Sequence, residues 1–201
     1  YIFHRQGGQE VLEALDAKTG KPAWKSEYPT AYRDDFGFDE GPRAAPCLAN
    51  GRLFTYGAEG TLTATDAATG KRLWQRNAMK DFHTPKGYFG AACSPLVFEE
   101  KVLLNVGGSN SCLVAFDAAS GKTAWQALND EAGYSSPVVA PINGQPRAVF
   151  FTRTGLAMVD PRDGKVHAQL RWRSRSQASV NAATPVVSGN QIFLKIGRAH
   201  V

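Results

Sequence analysis

The sequence predicts an all-β fold, a β-propeller of four-stranded antiparallel blades, and three observations carry that prediction. A pattern of Leu, Ala, Asp, Gly and Trp recurs at nearly constant intervals. A second, independent marker, a small residue followed by Pro, keeps the same beat. Between the markers lie short apolar runs rich in Val, Leu, Phe and Thr, punctuated by 20 glycines and 11 prolines, as strands joined by tight turns require.

The first copy of the pattern is Leu12, Ala14, Asp16, Thr19, Gly20, Lys21 and Trp24. It returns as Leu62, Ala64, Asp66, Thr69, Gly70, Lys71 and Trp74, and again as Leu113, Ala115, Asp117, Ser120, Gly121, Lys122 and Trp125. A decayed fourth copy has Leu156, Met158, Asp160, Gly164 and Lys165, with Ala168 where Trp should stand. The Asp-to-Asp steps are 50, 51 and 43 residues. The second marker falls at Ala45-Pro46, Ser94-Pro95, Ser136-Pro137 and Thr184-Pro185. Three of the runs it opens reach an Asn/Gly turn, at Asn50-Gly51, Asn143-Gly144 and Gly189-Asn190, the strongest short hairpin signal.

Each unit therefore holds four strand-sized runs, A to D, placed in the second unit at roughly 45–49, 52–56, 61–65 and 72–76. In Leu62-Thr63-Ala64-Thr65 the period is two, so Leu and Ala share one face and the threonines the other. Asp66 ends strand C, where its carboxylate can accept N–H groups of the turn. Gly70 supplies the positive φ that closes the hairpin. Trp74 then presents a flat side chain of ~150–250 Å² toward a neighbouring unit, and small Ala64 leaves room for it. The blades read as 1–28 (strands B–D), 43–77, 91–128, 134–172 and a broken fifth at 181–195. Three complete blades cannot close a ring, so the chain is expected to be a piece of a longer protein of about 7–8 blades. It begins in mid-strand at Tyr1, and residues 196–201 break the pattern and read as a non-native tail.

Composition excludes several classes. With 43% hydrophobic and 20% charged residues the chain is neither disordered nor membrane-spanning, since no stretch approaches the ~18 apolar residues a span needs. A net charge of +5, spread along the chain, gives no footprint for nucleic acid. The cysteines, Cys47, Cys93 and Cys112, show no CxxC and no neighbouring His, so they read as small core residues rather than metal ligands, with a Cys93–Cys112 bridge left open. Gly121-Lys122-Thr123 looks like the end of a phosphate-binding loop, but Phe116 stands where that loop needs Gly, so it reads as a hairpin turn.

The pattern Ala-x-Asp-x-x-Thr/Ser-Gly-Lys-x-x-Trp resembles the tryptophan-docking motif of the pyrroloquinoline quinone (PQQ)-type β-propeller family, over residues 1–195. Within it, stretches such as 32–43 and 179–185 look most like the PQQ-binding-like and BamB-like repeat proteins of planctomycete type. The resemblance implies export to the periplasm or outside the cell. It implies a protein-binding or assembly scaffold of the cell envelope. The alternatives are a PQQ-dependent quinoprotein oxidoreductase whose cofactor site lies largely outside this chain, or a carbohydrate-binding propeller. Quinoprotein dehydrogenases seat PQQ on a Trp floor under adjacent cysteines beside Ca²⁺. No two cysteines are adjacent here, Trp24, Trp74 and Trp125 hold docking positions, and Trp172 reads as a misaligned docking residue. No cofactor is therefore expected from these residues, PQQ and calcium belonging only to the oxidoreductase alternative.

In a propeller every link from strand D to the next strand A crosses one face toward the channel mouth. These links are 29–42, 78–90, 129–133 and 173–180. The first carries Tyr32, Arg33, Asp34, Asp35, Phe36, Phe38, Asp39 and Glu40, running on to Arg43; the second carries Lys80, Asp81, Phe82, His83, Lys86, Tyr88 and Phe89. Long links that mix aromatics and charges are the candidate binding face. The paired carboxylates are expected to pin the first link through Arg33, Arg43 and Lys80, with cation binding or acid/base work as the alternative. His83, the single histidine of the four links, reads as solvated. Arg171, Arg173 and Arg175 alternate along an extended segment and read as a solvated outer strand.

Overall fold

The structure, a computed structural model, describes residues 1–177 and 179–196. The suspected tail thus lies almost wholly outside the described residues. Among the described residues five antiparallel sheets follow one another along the chain. The first is β1 (Ile2–Gln6), β2 (Gln9–Leu15) and β3 (Pro22–Pro29). The second is β4 (Cys47–Ala49), β5 (Arg52–Tyr56), β6 (Thr61–Asp66) and β7 (Arg72–Asn77). A short helix, α1 (Ala78–Asp81), leads into the third: β8 (Leu96–Phe98), β9 (Lys101–Asn105), β10 (Leu113–Asp117) and β11 (Thr123–Ala127). The fourth is β12 (Val138–Ile142), β13 (Gln145–Phe151), β14 (Gly155–Val159) and β15 (Val166–Arg171); β16 (Val186–Ser188) and β17 (Gln191–Phe193) begin a fifth. Each sheet is a meander in sequence order, so these are three complete propeller blades and two partial ones, and they do not close a ring.

The core lies between blades, and central strands are buried on both faces, which is why they read as nearly continuous apolar runs. Phe54, Leu62 and Ala64 of the second blade meet Val102, Leu104 and Phe116 of the third. On the third blade's other face, Leu103, Leu113 and Ala115 meet Ala148, Phe150 and Val159 of the fourth. Thr63 and Thr65, on the opposite face from Leu62, are buried as well, and Thr63 Oγ1 accepts a bond from Gln75 Nε2 (3.0 Å).

The repeated motif has two jobs in the seams. In the turn, Asp16 accepts from Thr19 N (2.8 Å) and Thr19 Oγ1 (2.8 Å), Asp66 from the same atoms of Thr69, and Asp117 from Ser120. These bonds, led by the hydroxyl, hold the three carboxyls below their ordinary pKa. Each indole then crosses to the next blade. Trp24 Nε1 donates to Ala67 O (3.2 Å), Trp74 Nε1 to Ala118 O (3.1 Å) and Trp125 Nε1 to Pro161 O (3.1 Å). Trp24, Trp74 and Trp125 face Ala14, Ala64 and Ala115 across their own hairpins, just after a β-bulge that aims the ring outward. In the fourth blade the volumes are exchanged: Met158 faces Ala168.

The second marker also proves to be a seam. Ala45 N–H donates to Ser94 Oγ (2.9 Å), and Ser94 N–H to Ser136 Oγ (2.9 Å), so the residues before Pro46 and Pro95 each hand a bond to the matching residue of the next blade. Proline keeps the preceding residue extended, which leaves that N–H pointing sideways at the neighbour.

Candidate binding face

The D-to-A links do gather on one face, and one guanidinium organises the first two. Arg43 Nη1 donates to Tyr32 Oη (3.2 Å) and to Phe89 O of the second link (2.9 Å), while Nη2 donates to Asp34 Oδ2 (3.1 Å) and Asp39 O (2.9 Å). The Arg43 guanidinium also lies over the Tyr32 and Phe89 rings. Asp34 is buried. Burial pushes its carboxyl up, but N–H groups of Asp39, Phe36, Phe38 and Gly37 outweigh that and hold it below the ordinary value. The loop closes over this carboxylate because four donors need one acceptor.

Above this post sits a group of exposed rings. Phe36 and Phe38 stack with centroids 5.7 Å apart and planes at 15°, and Phe36 also meets Tyr88 (6.1 Å) and Phe89 (5.5 Å). Phe89 meets Tyr134, just past the third link, edge-on, and Tyr134 Oη accepts from Tyr88 N (3.0 Å) and Phe89 N (3.2 Å). Phe38 is 78% exposed, Phe36 52% and Tyr88 42%.

The other candidate residues divide by contact. Tyr32, 3% exposed, is part of the foundation and not of the surface, since the Arg43 guanidinium and the Gly90 backbone pack on it. Lys86 pairs with Asp35 (2.7 Å), and Glu40 with Arg5 (3.5 Å) and Arg33 (3.9 Å). Asp39 reaches Arg43 at 3.9 Å. Lys80 does not join this network. It rides on α1, which Asn77 caps by accepting the Lys80 N–H (2.9 Å), so the link expected as loop opens with a helical turn. Asp81 pairs back onto Arg76 (2.7 Å), and His83 is exposed. The three arginines do not share a strand side: β15 ends at Arg171, and Arg173 folds back on Ser176 O and Gln177 Oε1. Trp172 does not dock on a further blade. It stacks on Phe151 of its own blade (6.0 Å, 26°), and its backbone N–H donates to Thr154 O (3.0 Å).

Two clefts open between the links. One, of 710 Å³, includes Tyr56, Asn105, Asp130, Tyr134 and Arg153 in its wall. Its charged groups are already engaged. Asp130 accepts from both hydroxyls and one N–H of Thr152 and Thr154, and Arg153 donates to Ser179 O and Gln177 O. Only the Tyr56 hydroxyl is buried without a partner among the described residues. The second cleft, of 880 Å³, lies between the first two links and is lined by Arg33, Glu59, Lys80, His83 and Lys86. Arg5, Asp130, Tyr134 and Arg153 carry no signal in the sequence, because they stand in a strand or in short turns and acquire their roles only when neighbouring links converge.

Among the described residues there is no group of three or more His, Cys, Asp or Glu that could hold a metal. Cys47, Cys93 and Cys112 are free thiols, and burial pushes Cys93 up to about 12 and Cys112 higher still. Trp24, Trp74 and Trp125 are tied to blade seams, and Trp172 to Phe151.

A family model described as outer membrane protein assembly factor BamB matches residues 8–198. The chain belongs to this family of PQQ-type repeat propellers. Among curated relatives it is similar to a 1-butanol dehydrogenase (cytochrome c) of Thauera butanivorans, 31% identical over 147 residues, which is 70% of this chain and 19% of that protein. A quinohemoprotein alcohol dehydrogenase of Comamonas testosteroni is 28% identical over 130 residues, 62% of this chain and 18% of that one. The chain thus spans about a fifth of these relatives. Among solved structures, the Comamonas testosteroni enzyme superposes with a TM-score of 0.64 at 18% identity, over 96% of this chain and 37% of that one. BamB from Moraxella catarrhalis superposes at 0.58 and 17% identity, over 90% and 50%. Both likenesses are of fold.

Proposed function

We propose that this family member is a protein-binding scaffold of the cell envelope that presents its link-bearing face to a partner. The observation that carries the reading is the ring cluster of exposed Phe36, Phe38 and Tyr88 on half-buried Phe89, anchored by Arg43 and Asp34. Exposed aromatics on a rigid support are typical interface anchors, because little conformational freedom is lost when they are covered. The family description supplies the partner class: components of outer-membrane protein assembly. Replacing Phe36 and Phe38 by Ser in the full-length protein is expected to weaken co-purification of such a component by tenfold or more, roughly the loss of one interface anchor, with Tm unchanged. Unchanged co-purification would contradict the reading.

A second reading, a quinoprotein oxidoreductase whose cofactor groups lie in blades beyond this chain, draws on the sequence likeness to the Thauera butanivorans enzyme. Alcohol-dependent dye reduction by the full-length protein supplied with PQQ and Ca²⁺ would support it. For the carbohydrate alternative Phe36, Phe38 and Tyr88 are the exposed rings, Tyr32 being buried.

A further inference from the structure

Both long links are fastened to one turn of the second blade, residues 57–60 between β5 and β6. At the start of the first link, Thr30 Oγ1 (2.8 Å) and Ala31 N (3.1 Å) donate to Glu59. At its end, Gly41 lies so close to the turn that a Cβ there would sit 2.8 Å from the Ala58 Cβ. Where the second link begins, Ala78 N donates to Gly60 O (2.8 Å), and just past its end Ala91 N donates to Ala58 O (2.9 Å).

The turn rests in its own turn on a single acid of the first blade. Ala58 N donates to Glu10 Oε1 (2.8 Å), and Tyr28 Oη to Glu10 Oε2 (2.5 Å). Glu10 is 1% exposed, and a side chain at Gly57 would strike its carboxyl, so the turn seals it into the seam. The ionisable groups that face it are Tyr28 from β3, Glu59 from the turn and Arg5 from β1. Arg5 donates instead to Gly7 O, Tyr32 O and Glu40 O, so no cation pairs with this carboxyl. Burial pushes Glu10 above its ordinary 4.5 and the neighbouring Glu59 adds to that, against the Tyr28 and Ala58 donors.

We propose that the proton on Glu10 is a latch for the link-bearing face: the neutral acid holds the 57–60 turn and both links in place, and loss of the proton to solvent frees them together. A carboxylate sealed between two blades, beside a second carboxylate and without a cation, is costly until water reaches it. Its other walls, β2 and β3, are locked in a strand ladder, so the turn is the wall that yields. The latch is therefore closed in acid and loosens as pH rises through the folded value of Glu10. It does not depend on the partner reading, because what it changes is the order of the links and not what they bind.

The test is amide exchange of the full-length protein from about pH 5 to about pH 9, corrected for intrinsic exchange, in wild type and Glu10→Gln. In the wild type, protection within 29–42 and 78–91 should fall together by up to about tenfold per pH unit, as release of one proton requires. Protection in β9 and β10 should not follow. Glu10→Gln keeps the shape of the neutral acid and cannot ionise, so both links should stay protected at every pH. Tyr28→Phe removes a donor that favours the carboxylate and should carry the fall to higher pH, which decides the matter even if Glu10→Gln does not fold. Link protection independent of pH in the wild type, an equal fall in Glu10→Gln or in β9 and β10, or an unchanged profile in Tyr28→Phe overturns the proposal.

Discussion

The docking glycines are constrained twice. At Gly70, Gly121 and Gly164 φ lies between +71° and +76°, and a Cβ would also sit 2.6–2.8 Å from the Trp of the preceding blade. The first constraint is legible in any Gly that closes a hairpin; the second needs the neighbour. Gly144, at a hairpin tip with φ +72° and open space around it, separates the two. Gly144→Ala should cost about 1–2 kcal/mol for the left-handed conformation alone, and Gly121→Ala about 1–3 kcal/mol more for overpacking. Urea unfolding of both variants checks the difference, and equal costs would mean the indole moves aside freely. Glu10 was invisible in the sequence, one acidic residue on a strand. In the structure it is buried in the first seam, accepting from Ala58 N (2.8 Å) and Tyr28 Oη (2.5 Å), and burial raises its pKa above the unfolded 4.5 despite those bonds. The folded chain then holds a proton that the unfolded chain releases. The stability from neutral Glu10 is full below pH 4.5 and lost as pH rises through the folded pKa. Glu10→Gln should remove that downward slope, and parallel pH profiles for the two proteins would refute it.

At the scale of elements, strands were legible and links were not. Strand periods are local, so the second blade's predicted runs differ from β4–β7 by at most a few end residues. The links take their shape from long-range partners: Tyr134 reaches Tyr88, and Arg43 reaches Phe89. Residue type alone could not say that Tyr32 and Asp34 would be the floor while Phe38 stands out in water. The α1 turn was missed because four residues carry no helical period, although its cap, Asn77, was readable in retrospect. One consequence belongs to this scale. Arg43 joins two links through four hydrogen bonds, so Arg43→Leu should open both together. Limited proteolysis should then cut within 33–41 and 86–89 at comparable rates, whereas cleavage of the first link alone would show that the second is held independently. In the sequence the small residue before Pro marks only the opening of a strand; its interblade ladder at Ala45, Ser94 and Ser136 depends on which blades are neighbours.

For the whole molecule, the repeat makes stability a matter of neighbours. Seams one to three each have an indole, a docking turn and a buried apolar layer. The fourth blade offers Ala168 in place of Trp, and its outer strand β15 is exposed along its length. The isolated chain 1–195 should therefore unfold broadly, with amide exchange fastest in β15–β17 and slowest in β9 and β10, which are buried between two blades. A single sharp transition at high temperature would contradict that. The same architecture gathers the links on one face, and it is this face that the account makes functional. The direct test is site-specific photo-crosslinking of the full-length protein in its own cells, with a photoreactive residue at Phe38 or, as control, at Lys122 in a docking turn away from the links. The account predicts a discrete adduct with one outer-membrane assembly component from position 38 and none from position 122. No adduct from position 38, or the same adducts from both, would contradict it.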